Sequence, residues 1–174
     1  FKNKSEISLP FYYLTKKISK EIEDNSGRIP YYLSLSSLSY SSVLKRGNGF
    51  KKTVNELLEY FHCDLICYRA ESPKELKKIQ NFYWNPLILK MKKKLNIDLN
   101  VFTGISYIPQ KVEEEKKIKD ILVKMNEFEL TALENFVRLS GSFSIGFLIF
   151  YKFLNIENAW KLSILDENWQ MEKW

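Results

Sequence analysis

This chain is poor in the residues from which most active sites are built. It has one histidine, His62, and two cysteines, Cys63 and Cys67, in 174 residues. A structural zinc site needs about four nitrogen or sulfur ligands at tight spacing. These three cannot supply it, so no metal is expected. A Cys–His nucleophile pair must meet in space, which neighbours on one helix-to-strand turn rarely do; Cys67 is expected to face a core. So few cysteines exclude a disulfide framework and point to a reducing compartment, and no secretory-signal pattern is found. Glycine is scarce, with six in all. The one glycine-rich loop, Lys45-Arg46-Gly47-Asn48-Gly49, lacks the Lys-Ser/Thr that completes a phosphate loop, and no cofactor is expected. The longest apolar run, residues 143–154, carries Ser144, Gly146 and Lys152. It is too short to span a bilayer, so a buried helix is expected there and no membrane insertion.

What is present is ordinary globular material. Apolar residues make up 45% and charged residues 28%, which suits one soluble domain. Lysine dominates a net charge of +6. A Lys-, Ile- and Asn-rich composition can produce that charge by itself, so it is a weak pointer to nucleic acid.

Apolar periodicity predicts a mostly helical chain. Leu14, Ile18 and Ile22 share one face of a first helix, entered at Leu9-Pro10 and stopped by Asn25-Ser26-Gly27. A serine-rich helix is expected over 30–43, and Val54, Leu57, Leu58 and Phe61 stripe another over 50–61. Residues 64–69 and 99–105 read as short strands. Ser72 is expected to cap a helix with Pro73 in its first turn and Glu75 completing a capping box. Pro86 should kink or break that helix, leaving a second piece over 87–95. Helices are expected over 110–126, 128–139 and 143–154, and Asn155 caps a last one. Glu113, Glu114 and Glu115 are read as a solvated face balanced by Lys116, Lys117 and Lys119.

Two surfaces have functional readings. Lys90, Lys92, Lys93 and Lys94 come after Phe82, Tyr83 and Trp84, and cations interleaved with aromatics can bind RNA or a membrane surface. Those aromatics stand at helical spacing, where a core role is commoner, and no helix-turn-helix or RNP pattern accompanies them. The final ten residues set Asp166, Glu167 and Glu172 beside Trp169 and Trp174 on a short helix. Indoles need cover and carboxylates resist burial. Such a mixture belongs to the rim of a core or the edge of a partner site.

Four segments, in order and spacing, resemble one family. They are Asp64-Leu65-Ile66-Cys67-Tyr68-Arg69-Ala70; Glu75-Leu76 with Gln80 and Trp84-Asn85-Pro86-Leu87; Phe102-Thr103-Gly104-Ile105 with Gln110; and 130–174 with Leu133-Glu134, Ser140-Gly141-Ser142, Ala159-Trp160 and Leu165-Asp166-Glu167. Together they are similar to the α-subunit assembly chaperones of the F-type ATP synthase. Glu21-Ile22 and Trp84-Asn85-Pro86 depart from the family's Glu-Trp and Trp-Asp-Pro. The resemblance implies a mainly α (α+β) chain: residues 1–8 as the end of a β-rich N-terminal domain and 9–174 as the helical chaperone domain. It also implies a monomeric, non-enzymatic binder of the unassembled α subunit, in the cytoplasm of an alphaproteobacterium or the mitochondrial matrix, with no nucleic acid expected. The family's acidic position falls on Asp166 or Glu167. These carboxylates either engage the α subunit or bridge locally to Arg69 or Lys173. Trp169 and Trp174 divide between partner surface and core, and Glu172 stands with them. Arg69, expected to pair with a carboxylate, and Gln80, Trp84, Pro86, Gly104 and Gly141 are assigned to structure.

Overall fold

The apolar stripes become nine α-helices among the described residues, 12–26 and 35–173 of a computed structural model. Residues 1–8, the Leu9-Pro10 entry, the Gly27 stop, the opening of the serine-rich segment and Trp174 lie outside them. Helix α1 is Tyr12–Asp24, α2 Leu35–Leu44 and α3 Asn48–His62. A 3-10 turn, Leu65–Cys67, leads into β1, Tyr68–Arg69. Then come α4 Lys74–Leu95, β2 Phe102–Thr103, α5 Val112–Leu122, α6 Glu127–Ser140, α7 Phe143–Phe150, α8 Ile156–Ser163 and α9 Leu165–Met171. The two strands pair in parallel, Tyr68 opposite Phe102 and Arg69 opposite Thr103. The architecture is mainly α with a small β part.

Helix α7 is the centre of the core. Phe143 to Leu148 are all buried, because this run is apolar on every side and finds other elements all round it. Helix α6 turns back onto α7 through Gly141, whose φ of +64° is open to glycine at little cost. The two helices approach closely at Gly146: a Cβ there would stand 2.6 Å from the Val137 side chain and 2.7 Å from its amide nitrogen. Asn126 and Glu129 form the real capping box, at the start of α6. Asn155 caps α8 as expected, accepting from the Asn158 amide at 2.8 Å.

Several expectations need correction. Pro86 does not break the chain's longest helix. Leu76, Gln80, Trp84, Leu87 and Met91 form one buried stripe along all of α4, and Pro86 sits on its exposed side. That continuous packing outweighs the backbone bond that proline removes. Ser72 does not cap α4; Pro73 holds the N-cap position and no side chain caps there. The expected strand over 99–105 shrinks to two residues because side chains take the hydrogen bonds a neighbouring strand would make. Glu114 accepts from the Asp98 amide at 3.0 Å, and Gln110 both accepts from and donates to the Asn100 backbone. Glu114 is therefore buried rather than solvated. The run over 64–69 opens as a 3-10 turn, because the Asp64 side chain accepts from the Ile66 amide. The terminal helix is two helices, α8 and α9, with Ile164 at the corner.

Gly146→Ala should destabilise the fold by about 1–3 kcal/mol, because Val137 offers backbone as well as side chain to the new methyl. Urea denaturation measures this, and an unchanged midpoint would show that α6 and α7 separate freely.

Candidate partner-binding surface

Helix α9 has no buried residue of its own. Two polar contacts from α4 hold this end of the chain. Gln80 is buried, and its Oε1 accepts the Ala70 N–H at 2.7 Å. Its Nε2 donates to both oxygens of Asp166, at 3.0 and 3.1 Å. One turn on, the buried Trp84 ring donates from Nε1 to the Leu162 carbonyl at 2.9 Å. The two assigned structural residues thus join strand, long helix and C-terminal helices.

Arg69 does not form the expected ion pair. Its Nε and Nη2 donate to the Asn81 and Asn85 side-chain oxygens at 2.9 and 3.0 Å, and Nη1 to the Ile66 and Tyr68 carbonyls. The guanidinium stands 5.3 Å from the centre of the Trp84 ring. Neutral oxygens satisfy most of the fork, and Asp166 acts on it only at longer range. Gly104 sits beside it with φ of +87°, donating its amide to the Arg69 carbonyl at 2.9 Å.

Asp166 is half-buried, and its carboxyl is held above the usual Asp range. Partial desolvation is the main cause; Glu167 pushes the same way, while the Gln80 donor and the Arg69 charge oppose it. Glu167 and Glu172 are exposed, and Trp169 is half-buried with the Lys173 ammonium 5.7 Å from its ring centre. Helix α9 therefore separates two concavities. One, of about 550 Å³, is lined by Arg69, Glu71, Leu76, Gln80, Ile105 and Asp166. The other, of about 850 Å³, lies between α4 and α8–α9, with Phe82, Tyr83, Pro86, Lys90, Trp169 and Glu172 among its walls. Asp166 and Trp169 are brought to one short helix but open onto different concavities, and Glu172 lines the same one as Trp169.

The basic patch is partly engaged. Lys92 pairs with Asp98 at 2.9 Å, Lys90 donates to the Phe153 carbonyl, and Lys94 lies over the Phe153 ring. Of the adjacent aromatics only Trp84 is core; Phe82 is 73% exposed and Tyr83 47%. Their expected core role fails because α4's buried stripe passes on the other side. His62 Nδ1 accepts from the Gln110 amide, Cys63 is exposed and Cys67 buried. Among the described residues no three His, Cys, Asp or Glu side chains are placed to share a metal ion, and no helix is long and apolar enough to cross a membrane.

Sequence reasoning missed Asp64. It is fully buried, and it accepts the Ser142 hydroxyl, the Ser144 amide at 2.7 Å and the Ile66 amide at 3.3 Å. Burial pushes its carboxyl up, against the pull of these donors. No local pattern marks a contact made across 78 residues of chain.

A helical body whose last helix carries acids and an indole between two concavities has the form of a protein-binding module. The chain belongs to the ATP12 chaperone protein family, which matches residues 2–92. It is 30% identical over 152 residues to the mitochondrial protein atp12 of Schizosaccharomyces pombe, covering 79% of this chain and spanning about half, 52%, of that relative. The crystal structure of Atp12 from Paracoccus denitrificans matches with a TM-score of 0.83 at 26% identity, over 98% of this chain and 74% of that one. A lysine-for-aspartate variant of that bacterial protein matches equally. An Agrobacterium tumefaciens protein at 24% identity shares the fold, with a TM-score of 0.87 over 98% of this chain and 64% of its own.

Folding raises the Asp166 and Asp64 carboxyls, so in both cases the native state binds a proton more readily than the unfolded one. Stability should fall as pH climbs from the ordinary Asp value through the raised values, then level off. Asp166→Asn should flatten part of that slope and leave Asp64's share. Urea midpoints measured from about pH 3 upward check this; a stability that rises across the window would contradict both shifts.

Proposed function

We propose that this chain is the helical part of an assembly chaperone that binds the unassembled α subunit of the F-type ATP synthase. It keeps that subunit soluble until the β subunit takes its place. The observation that carries the reading is α9: in a member of the ATP12 chaperone family, it presents Glu167, Glu172 and half-buried Trp169 beside the anchored Asp166. A subunit surface made to meet another subunit is apolar enough to aggregate while alone. Covering it needs complementary shape and charge, not covalent chemistry. The chaperone acts as a monomer without a cofactor, in the mitochondrial matrix or the bacterial cytoplasm.

The local and partner readings of the acids divide by position. Asp166 faces inward to Gln80, and Glu167 faces solvent. Glu167→Lys should therefore abolish co-purification of free α subunit while the melting temperature stays at the wild-type value. Asp166→Lys should lose binding and stability together, since a lysine cannot accept from Gln80 and brings a second cation towards Arg69. Co-expression with the α subunit, followed by pull-down and thermal melts, reads both outcomes. The chaperone reading fails if α aggregates equally with and without this chain.

A further inference from the structure

The larger concavity has an orientation of its own. Three contacts between α4 and the chain after α7 run in reverse order: Gln80 to Asp166, Trp84 to Leu162, and Lys90 to Phe153. The chain from Phe153 through α8 to α9 therefore runs counter to α4, and the groove beside it follows Ile79, Phe82, Tyr83, Pro86 and Lys90. These positions span about 16 Å of helix, or three turns.

Its floor and walls are apolar: Leu87, Leu162 and Leu165 below, with Phe82, Tyr83 and Trp169 at the sides. Pro86 adds a further feature. Lacking an N–H, it leaves the Phe82 carbonyl without its usual helical donor at a position on the groove. The charged groups lining it are not evenly spread. Lys90 and, next to Leu162, Lys161 lie on one side of the Trp84–Leu162 hydrogen bond; Glu172 is the lining charge on the other, beyond Asp166, with the Lys173 ammonium over the neighbouring Trp169 ring. No ion pair among the described residues involves Lys161 or Glu172, and the one hydrogen bond from Lys90, to Phe153, leaves its ammonium two donors.

We infer that this groove seats an amphipathic helix of the partner subunit, about three turns long, with acidic residues at its amino end against Lys90 and Lys161 and a basic residue towards Glu172. The inference rests on the chaperone reading for the partner's identity and on the groove for the rest. Length, apolar floor and the uneven spread of lining charge match helix-in-groove recognition by i, i+3, i+4 and i+7 anchors. The charge order also matches the ordinary asymmetry of helices, acids first and bases last. Within this arrangement Trp169 and Glu172 are contact residues, whereas Asp166, on the other flank of α9, is a positioning residue.

The test uses the full chain and a pair of capped helical peptides of about 14 residues with the same leucine stripe. One carries glutamates at its amino end and lysines at its carboxyl end; its twin has the charges exchanged. The first should bind more tightly and shift the amides of 79–90 and 158–172 in nitrogen-15 spectra. Lys161→Glu should weaken it by about 3- to 10-fold and favour the twin. Phe82→Ser, at an exposed position, should weaken both peptides without moving the melting temperature. Indifference to charge order, or shifts confined to the Glu71, Gln80 and Asp166 concavity, would overturn the inference. So would shifts of Phe82, Tyr83 and Lys90 by an RNA oligonucleotide or by anionic phosphatidylserine vesicles when neither peptide produces them.

Hydrogen exchange with the isolated α subunit separates the two levels. Protection of 79–90 and 158–172 supports the groove. If α binds but protects 69–72 and 104–105 instead, the groove falls and the chaperone reading stands. If α does not bind at all, the chaperone reading falls, and the peptides alone decide the groove.

Discussion

A single buried carboxylate organises this fold. Asp64 lies at the amino end of α7, where it accepts the Ser142 hydroxyl and the Ser144 amide, and it also closes the 3-10 turn through the Ile66 amide. The free N–H groups and dipole of a helix start favour an anion, which compensates in part for a desolvation that pushes the carboxyl up. The result couples the middle of the chain to its most buried helix. Ile66 and Cys67, with no exposed surface, pack next to that anchor.

From Asp64 the site is ordered in short steps. The fixed turn delivers Tyr68 and Arg69 as β1, whose partner is β2. Arg69 then reaches Asn81 and Asn85 on α4, and the Ala70 amide reaches Gln80. Gln80 commits its other end to Asp166. Each step uses a fully engaged side chain in or near the core, where a missing partner is costly. Helix α9 has no fully buried residue, so its position comes from these contacts, from Trp84 and from Leu165, which packs against the core. That dependence explains how seven residues, Leu165–Met171, hold a defined place although an isolated helix so short is unstable in water.

Legibility in the sequence tracks the range of the interactions. Stripes such as Val54, Leu57, Leu58 and Phe61 placed their helix because periodicity is local. Asn155 and the helix it caps were legible for the same reason. The failures share another cause. Pro86 and Ser72 carry strong local signals that tertiary packing overrode, since α4's buried stripe runs through one and Pro73 displaced the other. The strand over 99–105 gave way at Asn100 to Gln110, whose side chain occupies both backbone groups there from outside the segment, while Glu114 holds the preceding Asp98 amide. Asp64 was invisible because its partners lie far along the chain. At the site, the residue types were legible but their facing was not: Asp166 and Trp169 are three positions apart on one helix and open onto different concavities. Phe82, Tyr83 and Trp84 likewise look alike in sequence and divide at α4 between solvent and core.

The same geometry bears on reversibility. A chaperone that yields its subunit to another must bind without an irreplaceable anchor. Here the rim of the groove is built from residues that the fold does not need: Phe82 and Tyr83 stand outside the core, and Lys161 and Glu172 have no ion pair among the described residues. Rim charges of this kind steer and orient a partner more than they hold it, and exposed aromatics can be uncovered again without unfolding anything. The deep contacts at Gln80, Trp84 and Asp64 are all made within the chain itself. Rigidity and exchangeability thus fall on opposite faces of α4: the buried stripe keeps the platform in shape, and the open face is the one proposed to take and release a partner.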